Sequence, residues 1–223
     1  MRLYIFIYIF LLSLNLFSQV YSYDKKYQEQ LVDNAIEITD KQKEEVRSSL
    51  NKWANFYLDK KYKYNESVLL THPLSKENKK FRFDCSGYIS AVYWSSNIAV
   101  FQKQAVLDSG GVKTIYATLS KYKKIYKDAL PKTGDIVMFD RTTSNTEKLT
   151  HAGIVLSVDE DETVTYAHAS TSRGLVLGYM NRKYPTMYMK DGKIINSYLK
   201  RGGGVEALSS QLFNSYGTVL DVP

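Results

Sequence analysis

The spacing of apolar residues changes once along the chain. Val46, Leu50, Trp53 and Tyr57 recur at steps of four, three and four, which lays one apolar stripe along a helix packed on a core. Thr39 followed by Gln42 reads as a capping box opening that helix. Upstream, Tyr27, Leu31, Ala35 and Ile38 predict a shorter amphipathic helix over 25–38. Residues 59–83 lose the period, are polar and Lys-rich, and carry His72-Pro73, so they read as a long loop with His72 in solvent. A third helix is predicted from Cys85 to Asn97, burying Ile89, Val92 and Tyr93, and residues 103–130 read as mixed helix and loop.

From residue 131 the apolar positions alternate instead. Strands are predicted at 135–139, 152–158, 163–169, 173–180 and 193–198, with the acidic run Asp159–Glu162 as a hairpin turn. Gly202-Gly203-Gly204 breaks the chain before a last helical piece. Helices first and an antiparallel sheet second give an α+β domain.

The first 22 residues have their own pattern: one Arg, an apolar run from Leu3 to Leu14, then small and polar residues ending Val20-Tyr21-Ser22. The run is about 12 residues, short of the ~20 that span a bilayer, and reads as a cleaved export signal. The organisation expected is a signal over 1–22, a helical extension over 23–50 and a catalytic domain over 51–223, with no stable membrane insertion once the signal is cut. The protein then works outside the cytoplasm, secreted, periplasmic or at the cell surface. The 223 residues are 44% apolar and 24% charged, ordinary for one globular domain. The net charge of +7 is scattered, not gathered into a stripe, which argues against nucleic acid and leaves an anionic polymer as a partner.

One Cys excludes an internal disulfide framework and a multi-Cys zinc site. Cys85 stands at the expected first turn of the third helix, where unpaired N–H groups and the helix dipole favour thiolate over thiol. A thiolate is the nucleophile for acyl transfer, and it needs a base. With the turn at 159–162, Val158 faces Thr163 and Gly153 faces His168, so His151 and His168 become diagonal neighbours on one sheet face. The reading that follows is a relay of Cys85 as nucleophile, His151 as base and His168 orienting its ring. A register slip of one residue would separate the two histidines. Zinc held by Cys85, His151 and His168 is an alternative, but no fourth ligand or metalloprotease helix motif accompanies them.

Four blocks then stand in order: Asp84-Cys85-Ser86-Gly87, Pro131–Phe139, His151-Ala152-Gly153-Ile154-Val155, and Ala167-His168-Ala169-Ser170. Together they resemble the NlpC/P60 family of cysteine peptidases over about residues 53–175. The resemblance implies a papain-like fold, no cofactor, and hydrolysis of amide bonds in peptidoglycan stem peptides, often between D-glutamate and a diamino acid. It implies the same roles for Cys85, His151 and His168, and it places Asp84 and Ser86 at the substrate site. The segment Leu58–Tyr64 resembles the family's Leu-Gly-x-x-Tyr-x-aromatic stretch, which implies that Tyr62 lines the site.

Two departures stand out. Asn65-Glu66 replaces an expected pair of glycines, and 67–80 is an insertion. A monomer is expected. The competing functions are an amidase of the CHAP type or an acyltransferase on the same framework, and a non-catalytic surface-binding protein.

Overall fold

The computed structural model describes residues 39–98 and 111–223. The expected export signal and the helix over 25–38 lie outside these residues. The described chain is α+β, as the pattern predicts. It opens with helix α1 (Asp40–Lys60), whose N-cap Thr39 and Gln42 form the reciprocal capping box. The helix runs unbroken through residue 50, where the extension was expected to end, and buries Val46, Leu50, Ala54 and Tyr57.

Residues 59–83 are not a loop. They hold a hairpin of β1 (Ser67–Thr71) and β2 (Asn78–Arg82), with Val68 opposite Phe81 and Leu70 opposite Lys79. Only Leu70 and Phe81 are buried in these strands, so the sequence carries no apolar alternation to see. His72 is fully buried at the turn, not solvated. Its Nε2 lies 3.0 Å from the Trp94 carbonyl, and its Nδ1 accepts from the N–H of Ser75 at 3.0 Å. Burial lowers its pKa, against the smaller opposing effect of the Trp94 carbonyl bond. His72 thus clips the inserted hairpin to the next helix.

That helix, α2 (Cys85–Ser95), is buried on every side from Ser86 onward. Two of its polar groups are matched: Tyr57 Oη lies 2.6 Å from Ser95 Oγ, and the Tyr88 hydroxyl donates to the Ala54 carbonyl at 3.0 Å. Each fully buried apolar side chain here stabilises by about 1.5–3 kcal/mol. Helix α3 (Gly111–Lys121) covers the same face of the sheet with Val112, Ile115 and Leu119.

The main sheet has six strands in the order β3-β10-β4-β5-β6-β7: β3 (Ile125–Tyr126), β4 (Ile136–Phe139), β5 (His151–Val158), β6 (Thr163–Ser170), β7 (Gly174–Asn181) and β10 (Phe213–Gly217). All five pairings are antiparallel. Met138, Ala152, Ile154 and Ala167 face the helices; Phe139, Val155, Tyr166 and Met180 face a second core with Leu212 and Tyr216. A small hairpin of β8 (Met189–Lys190) and β9 (Lys193–Ile194) and helix α4 (Ser209–Leu212) precede β10. The predicted strand 193–198 survives only as β9 and a bridge from Tyr198 to Leu208. Strand β10 was missed altogether, since Phe-Asn-Ser-Tyr-Gly shows neither apolar alternation nor β-branched residues.

The Pro131–Phe139 block is tied together by Asp135, which is 1% exposed. One carboxylate oxygen pairs with Arg47 of α1 at 3.1 Å, and the other accepts from the Tyr126 hydroxyl at 2.6 Å and the Lys132 N–H at 2.8 Å. The next residue back, Gly134, offers its carbonyl to the Tyr93 hydroxyl at 2.6 Å. Strand β4 is thereby locked to α1, α2 and β3 at one point. Removing one partner of a buried pair strands the other charge, at a cost of about 3–5 kcal/mol. Urea unfolding of Asp135→Ala is expected to show a loss of that order; a loss below about 1 kcal/mol would mean Arg47 finds another partner.

Candidate active site

Helix α2 begins where three constraints meet. Asp84 is the N-cap, and its Oδ1 accepts from the Gly87 N–H and the Ser86 hydroxyl, each at 2.8 Å. Its Oδ2 pairs with Arg82 at 3.0 Å. Gly87 has no room for a side chain, because a Cβ there would stand 1.7 Å from the Arg82 carbonyl oxygen. The Asp-Cys-Ser-Gly block is therefore a cap, a presented thiol, a bond back to the cap and a close approach of backbone. Cys85 is left half-buried at the first helical position. Asp84 and Ser86 line the cleft but are bonded to each other.

His151 and His168 come together on β5 and β6. The hairpin turn is one residue longer than expected: Val158 pairs with Val164, not Thr163, and a bulge between Val155 and Ser157 takes up the extra residue. Ile154 then pairs with Ala167, and Gly153 falls opposite His168, as the shorter turn would have placed it. Gly153 is required there, since a Cβ would sit 2.7 Å from the Ala167 carbonyl oxygen and 3.2 Å from His168 Cβ. The two rings meet nearly perpendicular at 87°, with His151 Nε2 2.8 Å from His168 Nδ1. His151 also stacks on Phe139, and His168 packs on Tyr166.

Cys85, His151 and His168 line one cavity. The bond to His168 occupies His151 Nε2, which leaves Nδ1 as the nitrogen able to take the Cys85 proton. The Ala152 N–H, next in sequence to His151, points at the Cys85 sulfur together with the N–H groups of Ser86 and Cys85. His168 Nε2 is buried with no hydrogen-bond partner among the described residues, so the chain of polar groups ends there. The pair of histidine nitrogens at 2.8 Å bonds to itself and does not bracket a metal, and no group of three metal-binding side chains occurs among the described residues.

Tyr62 does not reach the cleft. Its ring packs on Phe83 at 4.5 Å and Tyr57 at 6.3 Å, and its carbonyl accepts from the Leu175 N–H at 3.0 Å. Tyr64, two residues on, lines the cavities on both sides of Cys85, and the thiol and Asp84 add to burial in raising its pKa. The missed signal was the final aromatic of the Leu58–Tyr64 stretch. The position expected of Tyr62 at the cleft is thus occupied by Tyr64.

The NlpC/P60 family model matches residues 61–215. The chain belongs to that family. Membership implies a cysteine hydrolase acting on peptidoglycan peptides, and NlpC/P60 domains are often extracellular enzymes of the cell wall. No curated protein and no solved structure matches the chain. Among the described residues of this NlpC/P60 protein, no helix is long and apolar enough to cross a membrane.

The ionisation of the site departs from what a helix N-terminus alone would give. Burial and then the Asp84 carboxylate push the Cys85 thiol up to about 12, against the smaller pull of three N–H groups. Burial brings His151 down to about 4 and His168 well below its ordinary value. A raised thiol and lowered imidazoles favour the neutral pair at rest. Alkylation of Cys85 by a neutral reagent is therefore expected to be slow at pH 7 and to rise about tenfold per pH unit up to pH 10. A plateau with a midpoint below pH 7 would instead mean a preformed thiolate–imidazolium pair.

Proposed function

We propose that the protein is an exported cysteine endopeptidase that hydrolyses an amide bond in peptidoglycan stem peptides through Cys85, His151 and His168. The observation that carries this reading is the 2.8 Å bond between His151 Nε2 and His168 Nδ1 in the cavity that holds Cys85. When His151 is the base, its Nε2–H donates to His168 Nδ1 and its Nδ1 lone pair faces the thiol. Cys85 Sγ attacks the carbonyl carbon as its proton passes to His151 Nδ1. The Cys85 and Ser86 N–H groups, without helical partners at the start of α2, take the developing oxyanion. The C–N bond then breaks and the leaving amine takes the proton from His151. A thioester on Cys85 remains; water attacks it, giving its proton to His151, and releases a carboxylic acid and the thiol. Since burial raises the thiol and lowers the imidazole, the proton is expected to move during attack, as general-base catalysis. The apolar run and small residues of 1–22 support delivery to the wall.

Digestion of purified peptidoglycan with mass analysis of the released fragments tests the reaction. Muropeptides cut within the stem are expected; a free lactyl group on the sugar would make the enzyme an amidase, and no release would remove the reading. His168 separates orientation from bulk packing. His168→Asn and His168→Gln are expected to keep substantial turnover, since either amide can hold His151 Nε2, while His168→Ala loses roughly ten- to a thousandfold, on the order of 1.4–4 kcal/mol of barrier. Parent-rate turnover by His168→Ala would show that another group orients the base.

A further inference from the structure

Cys85 divides the cleft into two arms of different charge. One arm, toward α3, holds Asp84, Glu147 and Lys113, whose charges are already matched: Lys113 pairs with Glu147 at 2.8 Å, and Asp84 with Arg82. The other arm holds His151 and His168 together with Arg173, Lys200 and Arg201, and no acidic residue lines it. No carboxylate among the described residues lies within ion-pair distance of these three cations. The acid of the adjoining groove, Glu206, accepts from the Gly204 N–H at 3.2 Å and feels the Lys200 charge, but it lies beyond ion-pair distance of Lys200.

The cations stand on fixed supports. Arg173 sits in the turn between β6 and β7, just before Gly174 (φ +73°) and Leu175, whose N–H is bonded to the Tyr62 carbonyl. It is near enough to His168 for its charge to lower that pKa further. Lys200 and Arg201 follow a stretch held by the Leu199 N–H to Ala207 carbonyl bond at 2.9 Å and the Tyr198–Leu208 bridge. Lys200 is steadied by Asn145 Oδ1.

The direction of the substrate follows from the chemistry. In amide hydrolysis the group that protonates the leaving nitrogen must lie on the leaving-group side. His151 lines only the basic arm, so that arm receives the amine component. We propose that Arg173, Lys200 and Arg201 form a subsite for a carboxylate carried by the amine component of the substrate, and that this subsite sets the orientation of the peptide in the cleft. Guanidinium and ammonium groups with no carboxylate in ion-pair contact suit a carboxylate well, since hydrogen bonds between charged groups are about twice as strong as neutral ones. The opposite arm, with its charges paired, takes the acyl component without such selection.

This proposal rests on the peptidase reading, and two measurements keep their failures apart. The first compares γ-D-glutamyl-diamino acid peptides that differ only in whether the carboxyl of the amine component is free or amidated. The free carboxylate is expected to raise kcat/KM roughly tenfold, mainly through KM, and the Arg173→Ala/Lys200→Ala/Arg201→Ala variant should bring the ratio near one. Cleavage with no preference in the parent, or an unchanged ratio in the variant, would overturn the subsite while leaving the peptidase standing. The second measures binding of the free and amidated amine components to the Cys85→Ala protein by calorimetry, where no turnover is needed. Tighter binding of the free form, lost in the triple variant, supports the subsite even if no peptide is cut; equal binding of both forms counts against it.

Discussion

The position of the thiol, to which the rest of the site must be matched, depends on where α2 starts. The Asp84 carboxylate holds the Gly87 N–H, the Ser86 hydroxyl and Arg82 at once, and the missing side chain at Gly87 lets the helix end come against the Arg82 carbonyl. Because the rest of α2 is buried all round, the helix cannot slide or roll to compensate for a change at its first turn. The thiol's position is thus a consequence of packing along the whole helix, transmitted to one end. The inserted hairpin adds to this grip from the far end, through His72 on the Trp94 carbonyl. The same carboxylate that fixes Cys85 also raises its pKa, so positioning and activation pull in opposite directions here.

The second half of the site depends on strand register. Two histidines 17 positions apart meet only because a bulge at residue 156 cancels the extra residue of the turn. Asp159 holds that turn, accepting from the Thr163 N–H at 2.7 Å through its side chain. Gly153 then leaves the space into which His168 fits. Asp135 secures β4, the neighbour of β5, against α1, so the strand that carries His151 has a fixed partner on each side. Helix and sheet halves of the site are separate pieces of packing, brought to one cavity at the start of β5.

Much of this was legible in the sequence, for identifiable reasons. The Thr39–Gln42 box and the stripe Val46–Tyr57 are local signals with a local physical cause, and they read correctly. The central strands stand out as apolar runs, buried on both faces and not alternating as read, and the Asp159–Glu162 run marks their hairpin. His151 and His168 were placed together by strand parity, although the pairing at Val158 was off by one; a bulge leaves no mark that alternation can detect. What could not be read was built by tertiary contact. The β1–β2 hairpin buries one residue per strand, β10 is recruited into the sheet from a polar segment, and His72 becomes a buried clip only because Trp94 lies above it. Tyr62 packs on Phe83 and Tyr57 while Tyr64 lines the cleft, a difference no local pattern marks. The helix N-terminus, legible in the sequence, favours the thiolate, whereas burial and the Asp84 charge oppose it and raise the thiol's pKa.

The central claim is that Cys85 is the nucleophile of a site whose architecture does not need its sulfur. Turnover of stem peptides by Cys85→Ala, measured beside its thermal unfolding midpoint, tests that claim most directly. The expected result is no hydrolysis above background with a midpoint within a few degrees of the parent, since a half-buried thiol replaced by a methyl leaves little cavity. Hydrolysis at a substantial fraction of the parent rate would contradict it, and would assign the chemistry to groups other than the thiol.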